Sequence, residues 1–196
     1  MITFSPKQSF FLFCAYLVTS IPFGVLLSVL IKGKDVRDQG SGNIGAANVS
    51  RLMGKKWGVV VLIFDALKGF VAVKLAGHYG QTNFENFVAV MAVAAHCWPL
   101  YLGFRGGKGV ATALGVIFAL SPFIVLVAVV VFLIVLIILR RISAASLSAA
   151  LSVPFVAFLY PSSLSVLSAF AIMAIVWWKH RENLVRLWRN EEPRFL

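Results

Sequence analysis

Charge is scarce in this chain. Only 13% of its 196 residues are charged, and seven acids face eighteen lysines and arginines. Soluble domains carry about a quarter charged residues, so a soluble fold is excluded. The acids near the basic segments, Asp35, Asp38, Glu182, Glu191 and Glu192, form no carboxylate cluster of the kind that holds magnesium. Cysteine is sparser still, with two residues. Cys14 and Cys97 lie in apolar surroundings without C-x-x-C or His/Cys spacing, which argues against a disulfide framework or a thiolate metal site. H-E-x-x-H, G-x-S-x-G and G-x-x-x-x-G-K-[ST] are all missing, which removes the zinc-hydrolase, serine-hydrolase and P-loop readings. No internal repeat supports an inverted-repeat transporter.

Apolar residues fill the space that charge leaves. The chain is 60% hydrophobic, with a mean hydropathy of +0.92. That is the composition of a polytopic membrane protein, so the expected fold class is an all-α integral membrane protein forming one domain over 1–196. The N-terminal run carries a single lysine, Lys7, and no small-residue cleavage site, so it reads as a retained first helix. Charge clusters and Gly/Pro punctuation predict seven helices. They cover Phe10–Ile31 with a kink at Pro22, Trp57–Gly77, Phe84–Phe104, Val110–Leu120, Phe123–Leu139, Ala144–Tyr160 and Leu164–Trp178. The fifth is the most uniformly aliphatic and reads as lipid-facing.

Seven transmembrane helices with the N-terminus outside put fifteen of the eighteen Lys/Arg in inner segments. Merging the helices on either side of Ser121-Pro122 would export Arg140, Arg141 and a five-fold basic tail, against the positive-inside rule. The C-terminus is then cytoplasmic. Four polar segments share that inner face: Gly40–Arg51, Gly103–Gly109, Ser143–Ser146 and the tail from Lys179. In this class the net charge of +11 marks inner loops, not a nucleic-acid partner.

Gly40–Arg51 reads G-S-G-N-I-G-A-A-N-V-S-R. Glycines, amides and a closing guanidinium are the parts of an anion cradle at a helix N-terminus. The second loop, G-F-R-G-G-K-G-V-A-T from Gly103 to Thr112, adds Gly106 and Gly107 for close approach and Lys108 as a mobile ammonium. Asp65 and Lys68 stand three apart inside the second helix, spaced to pair on one face. They serve either as a structural pair beneath the loops or as a ligand contact. His96, just before Trp98-Pro99, reads as a packing histidine and His78 as inert. His180 and Asn183 share a helical face in K-H-R-E-N. Without metal ligands, the fitting reaction needs mainly electrostatic clamping and orientation. A small transporter for phosphate-bearing metabolites is the competing class.

Four motifs carry a resemblance to a known family: S-G-N-I-G-A-A-N-V-S-R (Ser41–Arg51), D-A-L-K-G (Asp65–Gly69), G-F-R-G-G-K-G-V-A-T (Gly103–Thr112) and K-H-R-E-N (Lys179–Asn183). In order and spacing they closely resemble the bacterial acyl-phosphate:glycerol-3-phosphate acyltransferases, the PlsY family. The resemblance implies acyl transfer from acyl phosphate to the 1-hydroxyl of glycerol 3-phosphate, giving lysophosphatidic acid and phosphate. It implies no cofactor and no metal. The setting would be the bacterial inner membrane, with the site on the cytoplasmic face of a monomer surrounded by membrane lipid. It also implies catalytic roles for Ser41, Arg51, Lys108, His180 and Asn183. Phosphate contacts would come from Gly42, Asn43, Ile44, Gly45, Ala46, Ala47, Asn48 and Val49, with Gly106, Gly107, Thr112 and Ser146 as further contacts. Two positions depart from the family pattern: Ala47 stands where threonine is usual, and Arg105 where lysine is common.

Overall fold

The protein, a computed structural model described over residues 4–195, is helical throughout, with no strand among the described residues. Helix α1 (Pro6–Thr19) starts on a capping box. Ser5 Oγ accepts from Gln8 N at 3.3 Å, and Gln8 Oε1 accepts from Ser5 N at 2.9 Å. Helix α2 (Phe23–Lys32) follows after a three-residue break, so the expected single helix Phe10–Ile31 is two. Pro22 lacks an N–H to continue α1, and helical bonding resumes only where Leu26 N donates to Pro22 O at 3.0 Å. The Ile21 carbonyl in the break is left to another donor, described below.

Helices α3 (Ala46–Met53) and α4 (Lys55–Ala76) are separated by Gly54 at φ 96°. Helix α5 (Thr82–Cys97) stops well short of the expected Phe104, because Trp98 and Pro99 turn the chain into a 3₁₀ turn at Leu100–Leu102. Helix α6 (Val110–Leu120) and helix α7 (Pro122–Leu139) are distinct, with Ser121 extended between them and Pro122 at the first helical position. Helices α8 (Ile142–Leu159), α9 (Val166–Lys179) and α10 (Arg181–Trp188) complete the chain. Helices α3 and α10 lie outside the predicted runs, since each is short and polar on one side.

The stretch Pro6–Lys32, α7 and α8 are long and apolar enough to cross a membrane. Helix α4 has the length, with 22 residues, but carries Asp65 and Lys68. The 11 residues of α6 reach only about 16 Å at 1.5 Å per residue.

The main core surrounds α5, whose Phe84, Val88, Ala89, Ala92 and Val93 are all buried. A smaller cluster of Val25, Val36, Ile44, Val49 and Val61 fastens the Gly40–Arg51 region to α2 and α4. Only Ile124 of α7 is buried, in keeping with a lipid-facing span. Lipid supplies no hydrophobic drive between helices, so close packing holds them together. The α4–α6 seam shows this. A Cβ on Gly115 would strike the Ala66 carbonyl, and one on Gly69 would press on Thr112 and Val116. Gly115→Val is expected to cost about 1–3 kcal/mol through overpacking, read as a lower thermal midpoint of the purified protein in detergent.

Candidate active site

Asn48 organises the first polar segment. Its Nδ2 donates to Val36 O (3.0 Å), Gln39 O (3.1 Å) and Asn43 O (3.0 Å), while its Oδ1 accepts from Ser41 N (3.1 Å). Four backbone positions are thus pinned by one buried amide. Gly40, at φ 60°, leaves the room that Asn48 Oδ1 occupies. Asn43 Oδ1 accepts from Gly45 N at 2.9 Å, and α3 then begins with no side-chain cap on its first amides. Uncapped amides at a helix N-terminus favour an anion.

The expected contacts in this segment separate by burial. Ser41, Gly42 and Arg51 are exposed, and Asn43, Gly45, Ala46 and Ala47 are half-buried. Ile44, Asn48 and Val49 are buried, with the two apolar side chains in the smaller core and Asn48 fully engaged by the protein.

In the second loop the glycines answer to the protein itself. Gly106 N donates to Cys97 O at 3.2 Å and Gly107 N to His96 O at 3.1 Å. A Cβ on Gly106 would overlap Pro99, and one on Gly107 would overlap the His96 ring. His96 joins the pair predicted within α4: Lys68 Nζ lies 2.8 Å from Asp65 Oδ1, 3.1 Å from His96 Nδ1 and 2.8 Å from Ile21 O. His96 Nδ1 also lies 3.5 Å from Asp65 Oδ1, and its Nε2 is the atom facing Gly107. Thr112 is buried in the α4–α6 seam with no hydrogen-bond partner for its hydroxyl, and Ser146 is buried on α8. Neither hydrogen-bonds to the other site residues.

Lys108, by contrast, meets the tail. Its Nζ donates to Asn183 Oδ1 at 2.5 Å, Asn183 Nδ2 donates to Glu192 Oε1 at 2.6 Å, and Arg186 Nε donates to Glu192 Oε2 at 2.8 Å. His180 Nδ1 donates to Val176 O at 2.8 Å, leaving Nε2 with a lone pair. Burial pulls His180 down to about 4, reinforced by nearby Lys108 and opposed by the Val176 hydrogen bond. Burial also lowers Lys108 to about 8; Glu192 opposes this, and Arg186 and Arg51 add to it. Burial alone would raise Glu192, but hydrogen bonds from Arg186 and Asn183 hold it below the usual carboxylate range.

Sequence reasoning missed Glu192 and Arg186. Arg186 stands three residues after Asn183, on the same helical face. The loops also enclose a cleft of about 710 Å³ lined by Arg37, Gly42, Arg105, Gly106, Lys179 and Arg181 among others. Among the described residues, no three His, Cys, Asp or Glu side chains gather as a metal-binding group. The Ser143–Ser146 turn lies at the same end, where Arg141 donates to the Asn190 side chain and Phe195 N donates to Arg140 O at 2.7 Å.

A helical bundle with spans long and apolar enough to cross a membrane, and a basic polar cluster at one end, defines an integral membrane protein. A family model described as glycerol-3-phosphate acyltransferase matches residues 9–190. The glycerol-3-phosphate acyltransferase of Aquifex aeolicus is 42% identical over 192 residues, covering 96% of this chain and all of that protein. That of Syntrophotalea carbinolica is 44% identical, covering 94% and 95%. A crystal structure of PlsY in its glycerol 3-phosphate form superposes with a TM-score of 0.91 at 41% identity, covering 97% and 96%. The lysophosphatidic acid form gives 0.89 at 39%, covering 96% and 95%. The chain belongs to the glycerol-3-phosphate acyltransferase family, and it is a membrane acyltransferase.

Two expectations follow. Asn48→Ala removes several hydrogen bonds at ~1 kcal/mol each, so a stability loss on the order of 2–4 kcal/mol is expected in the denaturant midpoint. A phosphate clamp at Lys108 would need its ammonium form, and burial lowers Lys108 to about 8. The kcat/KM profile is therefore flat below that pH and falls above it, and Lys108→Arg carries the alkaline limb upward.

Proposed function

We propose that residues 1–196 form one seven-span domain with its N-terminus outside, acting as a monomer in the bacterial inner membrane. Its site faces the cytoplasm and moves an acyl chain from acyl phosphate to the 1-hydroxyl of glycerol 3-phosphate. The observation that carries this reading is the meeting of the α3 cradle, Lys108 and the His180–Asn183 segment at one end of the bundle. The similar solved structures, of a glycerol 3-phosphate form and a lysophosphatidic acid form, correspond to the acceptor and product of this reaction.

In the proposed mechanism the donor phosphate rests in the Ser41–Arg51 cradle, on the amides of Ala46 and Ala47. The Ala47 methyl offers no hydroxyl, so backbone donors do this work. Arg51 and Lys108 clamp the phosphates, and Lys108 is oriented by Asn183, itself braced by Glu192 and Arg186. The acceptor's 1-hydroxyl oxygen attacks the acyl carbon, the bond from that carbon to the phosphate oxygen breaks, and its electron pair leaves with phosphate. His180 at about 4 is a weak base. The departing phosphate, whose oxygen gains the electron pair as the bond to the acyl carbon breaks, is the better proton acceptor.

Purified protein given acyl phosphate and glycerol 3-phosphate is expected to form lysophosphatidic acid, detected by mass. No product, alongside uptake of glycerol 3-phosphate into proteoliposomes, would replace the enzyme reading with transport. Lys108→Ala is expected to lose roughly 10²–10³ in turnover, as for removal of a transition-state donor. His180→Gln is expected to keep activity within about ten-fold, and a far larger loss would make His180 the base.

A further inference from the structure

The backbone that carries Lys108 is fixed by the end of α5. A helix leaves its last carbonyls without partners, and here the second loop fills them. Gly106 N donates to Cys97 O at 3.2 Å and Gly107 N to His96 O at 3.1 Å, while Lys179 Nζ also reaches Cys97 O at 3.0 Å. The glycines lie flat on the same surface. A Cβ on Gly107 would overlap the His96 ring, and one on Gly109, at φ 82°, would press on Cys97 Sγ and Val93. Both neighbours of Lys108 in the chain are thus bedded on α5.

His96 is the part of that bed with the least freedom to move. It is buried, and its Nδ1 lies 3.1 Å from Lys68 Nζ and 3.5 Å from Asp65 Oδ1. Lys68 is held in turn by Asp65 Oδ1 and Ile21 O, each at 2.8 Å. Filling space beneath Gly107 would need only an apolar ring. A ring pinned on one edge by a buried ion pair, with its other edge against a loop glycine, instead gives the loop one defined height. Buried polar networks specify a single arrangement in this way.

We propose that His96 is a positioning residue for acyl transfer: fixed by Asp65 and Lys68, its ring sets the height of the Gly106–Gly109 loop and so delivers the Lys108 ammonium to Asn183 and the reacting phosphate. His96 itself touches no substrate. This rests on the clamp role given to Lys108 above.

The test uses the full-length protein in detergent. His96→Asn places an amide oxygen where Nδ1 stands, so Lys68 keeps an acceptor, and it empties the space of Nε2 beneath Gly107. The loop then loses its bed and Lys108 its burial. Glu192, Glu182, Arg186, Arg51 and His180 surround Lys108, but burial is the largest cause of its lowering to about 8, so losing burial raises it. In His96→Asn, kcat/KM should therefore fall roughly ten-fold and its alkaline limb should move to higher pH. Gly107→Ala alone should lose at least as much. Adding His96→Asn to it should recover roughly ten-fold, because the new methyl enters the space the ring has left. Phe84→Leu, a core change at the far end of α5, should lower the thermal midpoint and leave the alkaline limb in place.

An unmoved alkaline limb in His96→Asn overturns the proposal. So does a double variant no more active than Gly107→Ala, which would make Gly107 a ligand contact. Should His96→Asn not fold, Gly107→Ala decides alone, since a displaced loop moves the alkaline limb and an unmoved limb overturns the proposal. Wild-type turnover in Lys108→Ala would instead overturn the clamp, and the coupling between positions 96 and 107 is read separately from it.

Discussion

A lysine ammonium inside an apolar bundle must be fully partnered, and Lys68 sets the terms for much of this structure. Its three partners come from three places: Asp65 one turn earlier on α4, His96 near the end of α5, and Ile21 O in the break between α1 and α2. The break is therefore more than a consequence of Pro22. A continuous helix would use the carbonyl that Lys68 needs. His96 carries the same requirement onward, since its ring lies against Gly107 and its carbonyl accepts from Gly107 N. One desolvated charge thus ties the N-terminal helices to the loop that presents Lys108.

Above this dry layer the polar segments are held by side chains that serve backbone. Asn48 fixes the first segment as Lys68 fixes the layer below, by giving every hydrogen-bonding atom of its amide to the protein. Glu192 does the same for the tail through Asn183 and Arg186. The groups left facing outward, Ser41, Arg51 and the uncapped amides of α3, are then presented by a frame that a ligand need not organise. Preorganisation of this kind suits a reaction whose donor is already activated, because orientation is most of what remains to be supplied.

Much of this was legible in the chain, and the exceptions have physical causes. Apolar runs cut by charge clusters located α4 to α9, because a membrane span leaves no other pattern. The break at Ser20–Pro22 was read as a kink, since its purpose lies 47 residues away in Lys68. Helices α3 and α10 were not among the seven apolar runs because they are short and polar-faced, although the readings of the cradle and of His180–Asn183 already placed helix there. The motif residues Lys108 and Asn183 were legible from resemblance, and they meet. Glu192 was not, because it reaches Asn183 only after the chain reverses at Asn190, which takes a positive φ of 59°. The roles expected for Ile44, Val49 and Asn48 were blurred by their place in a polar motif, where burial alone reveals that their side chains turn inward.

The glycines of the second loop have a broader consequence. Gly106 and Gly107 sit in a motif rich in phosphate-binding residue types, yet each is small because Pro99 and the His96 ring occupy the place of a side chain. A scan that replaced them one by one would find large losses of activity and credit them with recognising substrate. The losses would instead report a loop lifted off its bed. Within this motif, indispensability and contact with the reacting molecules are different properties.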